Sequence, residues 1–308
     1  MNYFLYLLLC YPLVCNAQHI VSEEIDLANG TIKIPGTLSY PKTDHKIPLV
    51  IFVHGSGNID RNGNQAGTPI QVSYIKALSD SLTKKGIAFY RFDKRTVVPE
   101  NLSKLNGITL KDFVSDVKIA LQYFKDDPRF GSIHYIGHSQ GSLVAMLATT
   151  KDVKSYISIA GAGETIDEIL LKQLNAQNPE LAKIAKQHID ELIKTDTIAT
   201  VNPFLMSLFA PQNQKFLKNW MLINPVEEIK NITIPILIIN GDADLQVKVS
   251  DAENLKAAHP KAELVIIPKM NHLMKEVHSM EENQQSYWDE KYPLSTVLIT
   301  LLSDFIRS

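Results

Sequence analysis

Short apolar segments alternate with amphipathic segments along most of the chain. Helical spacing of apolar residues predicts helices over residues 72–85, 110–125, 249–258 and 294–307. Short runs rich in Val, Ile and Phe predict strands over residues 49–53, 87–92, 133–136, 156–160, 236–239 and 263–267. Strand and helix in turn predict parallel βαβ units, and therefore an α/β fold with a mostly parallel central sheet that helices cover on both faces.

An antiparallel hairpin is predicted before this region. Asn29 and Gly30 separate two alternating runs in the segment IDLANGTIKI. Both residue types tolerate the positive φ of a type I′ turn, so the pair is expected at the centre of the hairpin.

The alternation breaks between Gly163 and Ile232, where the spacing of apolar residues is helical and strand patterns are missing. We therefore predict a helical cap, residues 163–232, inserted into a core formed by residues 18–162 and 233–308. Large apolar side chains of the cap are predicted to face the substrate from the underside of a lid, namely Phe204, Phe209 and Trp220. The alternative is that they only pack the insertion onto the core.

Residues 1–17 have the pattern of a signal peptide. An apolar run ends at Val14, and the small residues Cys15 and Ala17 precede the expected cleavage after Ala17. The first residues contain no Lys or Arg, so a buried N-terminal helix is the alternative. Cleavage predicts an exported protein, periplasmic or extracellular, with no integral membrane segment. It would also remove both cysteines, Cys10 and Cys15.

The charge balance points away from polyanionic partners. Lys and Arg number 31 and Asp and Glu 33, for a formal net charge of -2. Such a chain has no overall field suited to nucleic acid or an anionic membrane, so a small-molecule partner is expected at a local site.

Candidate chemistry begins with residues 137–141, Gly-His-Ser-Gln-Gly, at a predicted junction of strand and helix. This G-x-S-x-G pattern is typical of a nucleophile elbow, a sharp turn that exposes the Ser139 hydroxyl. The two glycines have a physical reason there, because neighbouring backbone comes too close for a β-carbon. The alternative is that Ser139 is an ordinary helix N-cap.

A nucleophilic serine requires a base and an orienting acid. Asp242 and Asp244 follow one predicted strand, and His272 follows the next. The order Ser139, acid, His272 is the order that this architecture uses, and all these residues fall at the carboxyl edge of the predicted sheet.

A glycine-rich turn, His54-Gly-Ser-Gly, ends the first parallel strand and leads into residues 60–64, Asp-Arg-Asn-Gly-Asn. It lacks the third glycine of a dinucleotide site and the Gly-Lys-Ser/Thr of a phosphate loop. As a calcium loop it has Gln65 and Gln71 where Gly and Glu are needed, so no metal is predicted.

An oxyanion hole requires only a backbone N–H from this turn and the N–H that follows the nucleophile. We therefore predict an oxyanion hole formed by Ser56 and Gln140, with His54 bracing the turn. Residues 60–64 either shape the rim of the site or form solvated surface.

From Leu38 onward, the chain resembles the α/β-hydrolase superfamily and, within it, secreted bacterial esterases and serine-aminopeptidase-like hydrolases. The resemblance rests on the HGSG turn, the loop after it, the elbow, Gly241-Asp-Ala-Asp244 and Asn271-His-Leu273, which occur in the family's order. It implies that Asp244 is the triad acid and Asp242 a turn residue. Thr96 departs from the family, which often has Gly after a similar Asp-x-Arg.

These features predict a serine hydrolase that cleaves carboxylic esters of small or medium acyl groups with Ser139, Asp244 and His272, and that needs no cofactor. A serine peptidase on the same triad is the first alternative. Glu164, Asp167 and Glu168 are then candidates to hold the substrate amine, and the alternative is that they form a solvated helix face. The second alternative is a catalytically silent binding protein.

Overall fold

The computed structural model describes residues 19–308, so the predicted signal peptide lies outside the described part of the chain. Eight strands form one sheet in the order β1-β2-β4-β3-β5-β6-β7-β8. The first two pairings are antiparallel and the other five are parallel. The strands are β1 Ile20–Asn29, β2 Ile32–Pro41, β3 Ile47–Val53, β4 Ala88–Phe92, β5 Phe130–His138, β6 Ser155–Ile159, β7 Ile236–Gly241 and β8 Glu263–Ile267.

Helices connect the parallel strands. They are α1 Tyr74–Thr83, α2 Leu110–Phe124, α3 Gln140–Ala148, α4 Ile166–Gln177, α5 Pro179–Thr195, α6 Met206–Phe209, α7 Pro211–Met221, α8 Pro225–Ile229, α9 Val249–Ala258, α10 Met280–Gln285 and α11 Thr296–Arg307. Two short 3₁₀ helices cover Pro99–Lys104 and Pro203–Leu205. Within residues 19–308, no helix combines the length and the apolarity that a membrane crossing requires.

The predicted α/β architecture is confirmed. The predictions of α9 and β8 agree with the structure at both ends, and α2 begins after Thr109 as expected. Thr109 and Asp112 form a capping box at that start. Other boundaries differ by a few residues: β3, β5 and β7 are longer than predicted because strand pairing continues beyond their most apolar positions, and α1 is shorter.

Both faces of the sheet are buried, as the apolar runs predict. Leu49 and Ile51 of β3 belong to one apolar core, and Val50 and Phe52 belong to the other. Successive side chains of a strand point to opposite faces, so an unbroken apolar run serves both cores. Each such side chain contributes about 1.5–3 kcal/mol by leaving water.

The first hairpin differs from the prediction. Asn29 pairs with Ile32, so the two-residue turn is Gly30-Thr31. Only Gly30 of this turn has a positive φ, 60°, which fits a type II′ turn instead of type I′. Asn29 stays in the strand because its side-chain amide donates hydrogen bonds to Ser115 and Asp116 of α2.

Helices α4 to α8 occupy the chain between β6 and β7. They bury an apolar cluster of their own, which includes Ile189, Leu192, Phe209 and Met221. Helix α8 instead contacts α3 and α9 of the core. The helical segment therefore has its own interior and covers the carboxyl edge of the sheet.

The parallel register brings the ends of the central strands to this edge. Val53 at the end of β3 is level with Gly137, His138 is level with Ile159, and Gly241 is level with Ile267. The turns after β3, β5, β7 and β8 therefore converge, which is where ligands bind in open α/β sheets.

Candidate active site

Ser139 lies in a strained turn between β5 and α3. Its φ of 55° and ψ of -124° are rare for a residue with a side chain. The backbone holds this conformation through a 2.9 Å hydrogen bond from the Ser139 N–H to the Ile159 carbonyl. The Ser139 side chain makes no capping hydrogen bond to α3, so it does not act as a helix N-cap.

The glycines on either side of Ser139 allow very close backbone packing. A β-carbon at Gly141 would lie 2.0 Å from the Val53 carbonyl oxygen, and one at Gly137 would lie 2.4 Å from the Gly141 oxygen. Gly55 of the glycine-rich turn approaches from the other side, where an added β-carbon would lie 3.2 Å from Ser139 Cβ. The elbow and the glycine-rich turn thus meet at Ser139.

Asp244 and His272 form a buried pair. The His272 Nδ1–H donates to Asp244 Oδ2 over 2.8 Å, which leaves Nε2 free to act as a base. Asp244 Oδ1 accepts hydrogen bonds from the backbone N–H groups of Gln246 and Val247. Burial would raise the pKa of Asp244, but His272 and these donors together lower it below the usual value.

Asp242 has a different role. Its carboxylate accepts a hydrogen bond from the Lys269 N–H and so closes the turn between the two strand ends. The structure therefore brings Asp244, not Asp242, to His272.

Ser139 and His272 line one cavity of about 440 Å³. Within residues 19–308, Ser139 Oγ makes no hydrogen bond to His272, an arrangement common in free enzymes, where this contact tightens when substrate binds.

His138 holds His272 in place through the backbone of His272. Its Nε2–H donates to the His272 carbonyl over 2.8 Å, and the Tyr74 hydroxyl donates to its Nδ1 over 3.4 Å. Burial and the neighbouring His272 lower the pKa of His138 to about 3, so it stays neutral.

Ser56, Ser139 and Gln140 line a second cavity, of about 280 Å³. In the described part of the chain, neither the Ser56 N–H nor the Gln140 N–H donates to another atom. Two unused N–H groups beside the nucleophile are what an oxyanion hole requires. His54 donates from Nε2 to the Phe92 carbonyl over 2.9 Å and thereby ties the turn to β4.

Lys94, which no sequence motif indicated, contacts both segments that carry these donors. It is only 4% exposed, and its ammonium donates to the Gly55 carbonyl over 2.7 Å and to Gln140 Oε1 over 2.9 Å. Nζ also lies 4.7 Å from the centre of the Phe113 ring. Burial lowers the pKa of Lys94 to about 7. Its position directly after a buried strand end was the available clue.

The predicted substrate contacts of the cap are only partly supported. Trp220 lines the 280 Å³ cavity and a larger, more polar cavity of about 790 Å³. Phe209 is fully buried inside the cap cluster, and Phe204 is 83% exposed and outside the cavities at Ser139. These two predictions are corrected, because the cap uses Phe209 for its own core.

The cap residues that do reach Ser139 come mainly from α4 and α7. Apolar side chains of the cap line the 280 Å³ cavity: Ile166, Ile169, Leu170, Leu208, Leu217 and Trp220. The sequence predicted helices within residues 163–232 without indicating which side of each would face the sheet. Helix α4 has no fully buried residue, so the burial pattern does not identify one side of it as the buried face.

The three acidic residues considered for binding a substrate amine are dispersed. Glu164 lines the 280 Å³ cavity but is ion-paired with Lys172. Asp167 and Glu168 do not line the cavities that contain Ser139.

Residues 60–64 form an ordered loop that is held by hydrogen bonds and an ion pair within the protein. Asp60 Oδ1 accepts from the N–H groups of Asn62 and Asn64, and Arg61 is ion-paired with Asp93. The carboxylate oxygens of Asp60 and Asp93 therefore have hydrogen-bond partners within the protein. Within residues 19–308, no group of three His, Cys, Asp or Glu residues could hold a metal ion.

The loop is also anchored against α1. A β-carbon at Gly63, whose φ is 94°, would lie 2.6 Å from the Tyr74 ring. Thr96, the departure from the family pattern, lines the 790 Å³ cavity, and its hydroxyl finds no hydrogen-bond partner among residues 19–308.

Comparison with known proteins identifies the family of this chain. The BD-FAE family profile matches residues 38–258. Esterase EstD of Thermotoga maritima is 28% identical over 261 residues, which is 82% of this chain and 60% of that protein. The chain thus spans less than two thirds of this relative.

Solved structures show the same fold. Est1E from Butyrivibrio proteoclasticus superimposes with a TM-score of 0.58 at 19% identity, over 92% of this chain and 97% of that one. Est1E has also been solved with ferulic acid bound. The acylaminoacyl peptidase of Pyrococcus horikoshii has a TM-score of 0.61 at 14% identity, over 94% of this chain and 42% of that one. At these identities the likeness establishes the α/β-hydrolase fold alone. The family profile covers most of the chain, and the chain therefore belongs to the BD-FAE family of α/β-hydrolases.

Proposed function

We propose that this protein hydrolyses carboxylic esters through an acyl-enzyme on Ser139. One observation carries the proposal: Ser139 stands in a strained elbow between the Asp244-supported imidazole of His272 and two unused backbone N–H groups. This arrangement contains a nucleophile, a base and electrostatic stabilisation for an oxyanion. The description of the 28% identical relative as an esterase supports it.

In the first step, His272 Nε2 takes the Ser139 proton as Oγ attacks the ester carbonyl. The carbonyl oxygen becomes an oxyanion, which the Ser56 and Gln140 N–H groups stabilise. Collapse of this intermediate expels the alcohol, which receives the proton from His272. Water activated by the same base then attacks the acyl-enzyme and releases the acid, restoring Ser139.

One of the cavities suggests where the acyl group of the substrate binds. The 280 Å³ cavity is lined largely by apolar side chains and contains both oxyanion donors, so it suits a small or medium acyl group. Est1E binds ferulic acid, so aromatic acyl groups of that size are part of the proposal.

The proposal is tested with p-nitrophenyl acetate, butyrate and octanoate, methyl ferulate and alanyl p-nitroanilide. We expect ester turnover to exceed anilide turnover. Ser139→Ala should lose activity to background, on the order of 10⁶-fold in kcat. Faster anilide turnover would favour the peptidase alternative instead.

Labelling with a fluorophosphonate probe distinguishes an active serine hydrolase from the second alternative, a catalytically silent binding protein. The wild type should be labelled at Ser139, and Ser139→Ala should not. A wild type that neither turns over esters nor reacts with the probe would be a silent binding protein, and the proposed function would be wrong.

A further inference from the structure

Lys94 contacts both halves of the oxyanion hole at once. Its ammonium binds the carbonyl of Gly55 and the side-chain oxygen of Gln140. Gly55 is bonded to Ser56, one oxyanion donor, and Gln140 supplies the other. Lys94 itself comes from a third element, the segment after β4.

The contact with Gly55 fixes the direction of the Ser56 N–H. The C=O of Gly55 and the N–H of Ser56 belong to one planar trans peptide and point in opposite directions. Lys94 lines neither of the two cavities that contain Ser139, whereas Ser56 lines both. Holding the Gly55 carbonyl toward Lys94 therefore directs the Ser56 N–H, on the opposite edge of the peptide, toward those cavities. Glycines flank Ser56 in a turn whose Gly57 has a φ of 85°, so the turn itself restrains this peptide only weakly.

The contact with Gln140 acts on the second donor. Gln140 is the first residue of α3, and its side chain is buried against Lys94. Holding this side chain fixes the residue that supplies the other N–H and sets its distance from Ser56.

Lys94 is buried without a counterion in the described part of the chain. Within residues 19–308, its Nζ pairs with no carboxylate, although the adjacent Arg95 forms a buried ion pair with Asp116 at 2.6 Å. A buried ammonium without a counterion costs stability, and apolar replacements of buried charges are often neutral or stabilising. Two hydrogen bonds and the contact with the Phe113 ring offset part of this cost, and both hydrogen bonds go to the segments that carry the two N–H donors.

We propose that Lys94 is a positioning residue of the oxyanion hole, which sets the Gly55–Ser56 peptide and Gln140 for the transition state. The proposal rests on the proposed ester hydrolysis. Lys94 touches neither substrate nor the reacting atoms in this role, so its effect should appear in kcat and not in KM.

The test is Lys94→Met, which keeps the length of the side chain and removes its donors. Removing an oxyanion donor outright lowers kcat by about 10²–10³-fold. Loss of its support should therefore lower kcat by roughly 10- to 100-fold, leave KM within about threefold, and weaken a boronic-acid transition-state analogue by a similar factor.

Arg95→Met is the matched contrast. It leaves Asp116 buried without its partner, so it should lower Tm clearly while kcat, measured below that Tm, stays within about threefold. Lys94→Met should show the reverse pattern, with Tm near that of the wild type. If Lys94→Met keeps kcat within about twofold, or raises KM while kcat is unchanged, the positioning role is wrong.

Chemical rescue distinguishes loss of the ammonium from a general packing defect at position 94. With Cys10→Ser and Cys15→Ser as background, Lys94→Cys introduces the only thiol of the chain. Alkylation of the unfolded protein with 2-bromoethylamine, followed by refolding, restores an ammonium at nearly the original length. We expect at least about tenfold recovery of kcat, and none after alkylation with iodoethane. Equal recovery with both reagents would overturn the proposal.

Failure of the inference can be told from failure of the proposed function. If wild type hydrolyses no ester and fails to react with a fluorophosphonate, the function is wrong. If wild type is active, Ser139→Ala is inactive and Lys94→Met is unchanged, only the role of Lys94 is wrong.

Discussion

At the scale of single residues, the two aspartates of the segment Gly241-Asp-Ala-Asp244 show how neighbouring carboxylates acquire different roles. Asp244 is buried and receives hydrogen bonds from His272 and two backbone N–H groups. Asp242 is exposed and closes a turn through the Lys269 N–H. The environment of each carboxylate, and not its residue type, sets its role.

We predict that Asp244→Asn lowers kcat by about 10⁴-fold, because an amide cannot stabilise the imidazolium or hold the required tautomer of His272. Asp242→Asn is the control and should keep kcat within about threefold. Steady-state kinetics on the best p-nitrophenyl ester measure both variants. Similar losses in the two variants would contradict the assignment of Asp244.

At the scale of elements, the site depends on how closely α3 approaches the end of β3. Gly141 in the first turn of α3 lies directly against the Val53 and His54 carbonyls. This contact fixes where the helix begins, and with it the positions of Ser139 and the Gln140 N–H.

We predict that Gly141→Ala is destabilised by at least about 2 kcal/mol, because its β-carbon would meet rigid backbone at 2.0 Å. It should also lose activity, since relief of the clash must move α3. Gly131→Ala is the matched control on β5, where the nearest atom is Lys46 Cβ at 3.5 Å. Urea unfolding measures both, and equal stability of the two variants would refute the packing argument.

The cap shows the limit of reading elements from periodicity. Its helices are predictable, but Phe204 and Phe209 do not reach the cavities at Ser139, whereas residues of α4 do. Which side of a cap helix faces the site depends on how the cap helices pack on one another, and the sequence pattern does not contain that packing.

At the scale of the whole molecule, three buried histidines make the fold sensitive to acid. Burial lowers the pKa of His54 and His134 to about 4 and that of His138 to about 3, from an ordinary value of 6.5. The unfolded chain therefore binds protons in a range where the folded chain does not. Their contribution to stability is complete above pH 6.5 and is lost as pH falls toward 4.

We predict that the free energy of unfolding falls steeply between pH 6.5 and 4. His134 alone should account for roughly 3 kcal/mol of this fall, from its pKa difference. His134→Gln should therefore flatten the pH dependence without affecting the site. The exposed His278→Gln is the control and should follow the wild type, in urea unfolding measured at several pH values. An unchanged slope in His134→Gln would contradict the prediction.

The α/β class, the order of the core elements, and Ser139, His272 and the pair Asp242 and Asp244 as candidates could be predicted from the sequence pattern, and the family resemblance then favoured Asp244. The pattern was sufficient for these because apolar periodicity, glycines at forced turns and the order of polar residues after strands are local properties. Tertiary contacts were needed to show which cap residues line the cavity at Ser139, that the turn of the first hairpin is Gly30-Thr31, and that Lys94 contacts both Gly55 and Gln140. Each of these depends on contacts between segments distant in sequence, such as the one between Lys94 and Gln140. Which distant groups meet is set by the packing of the whole chain.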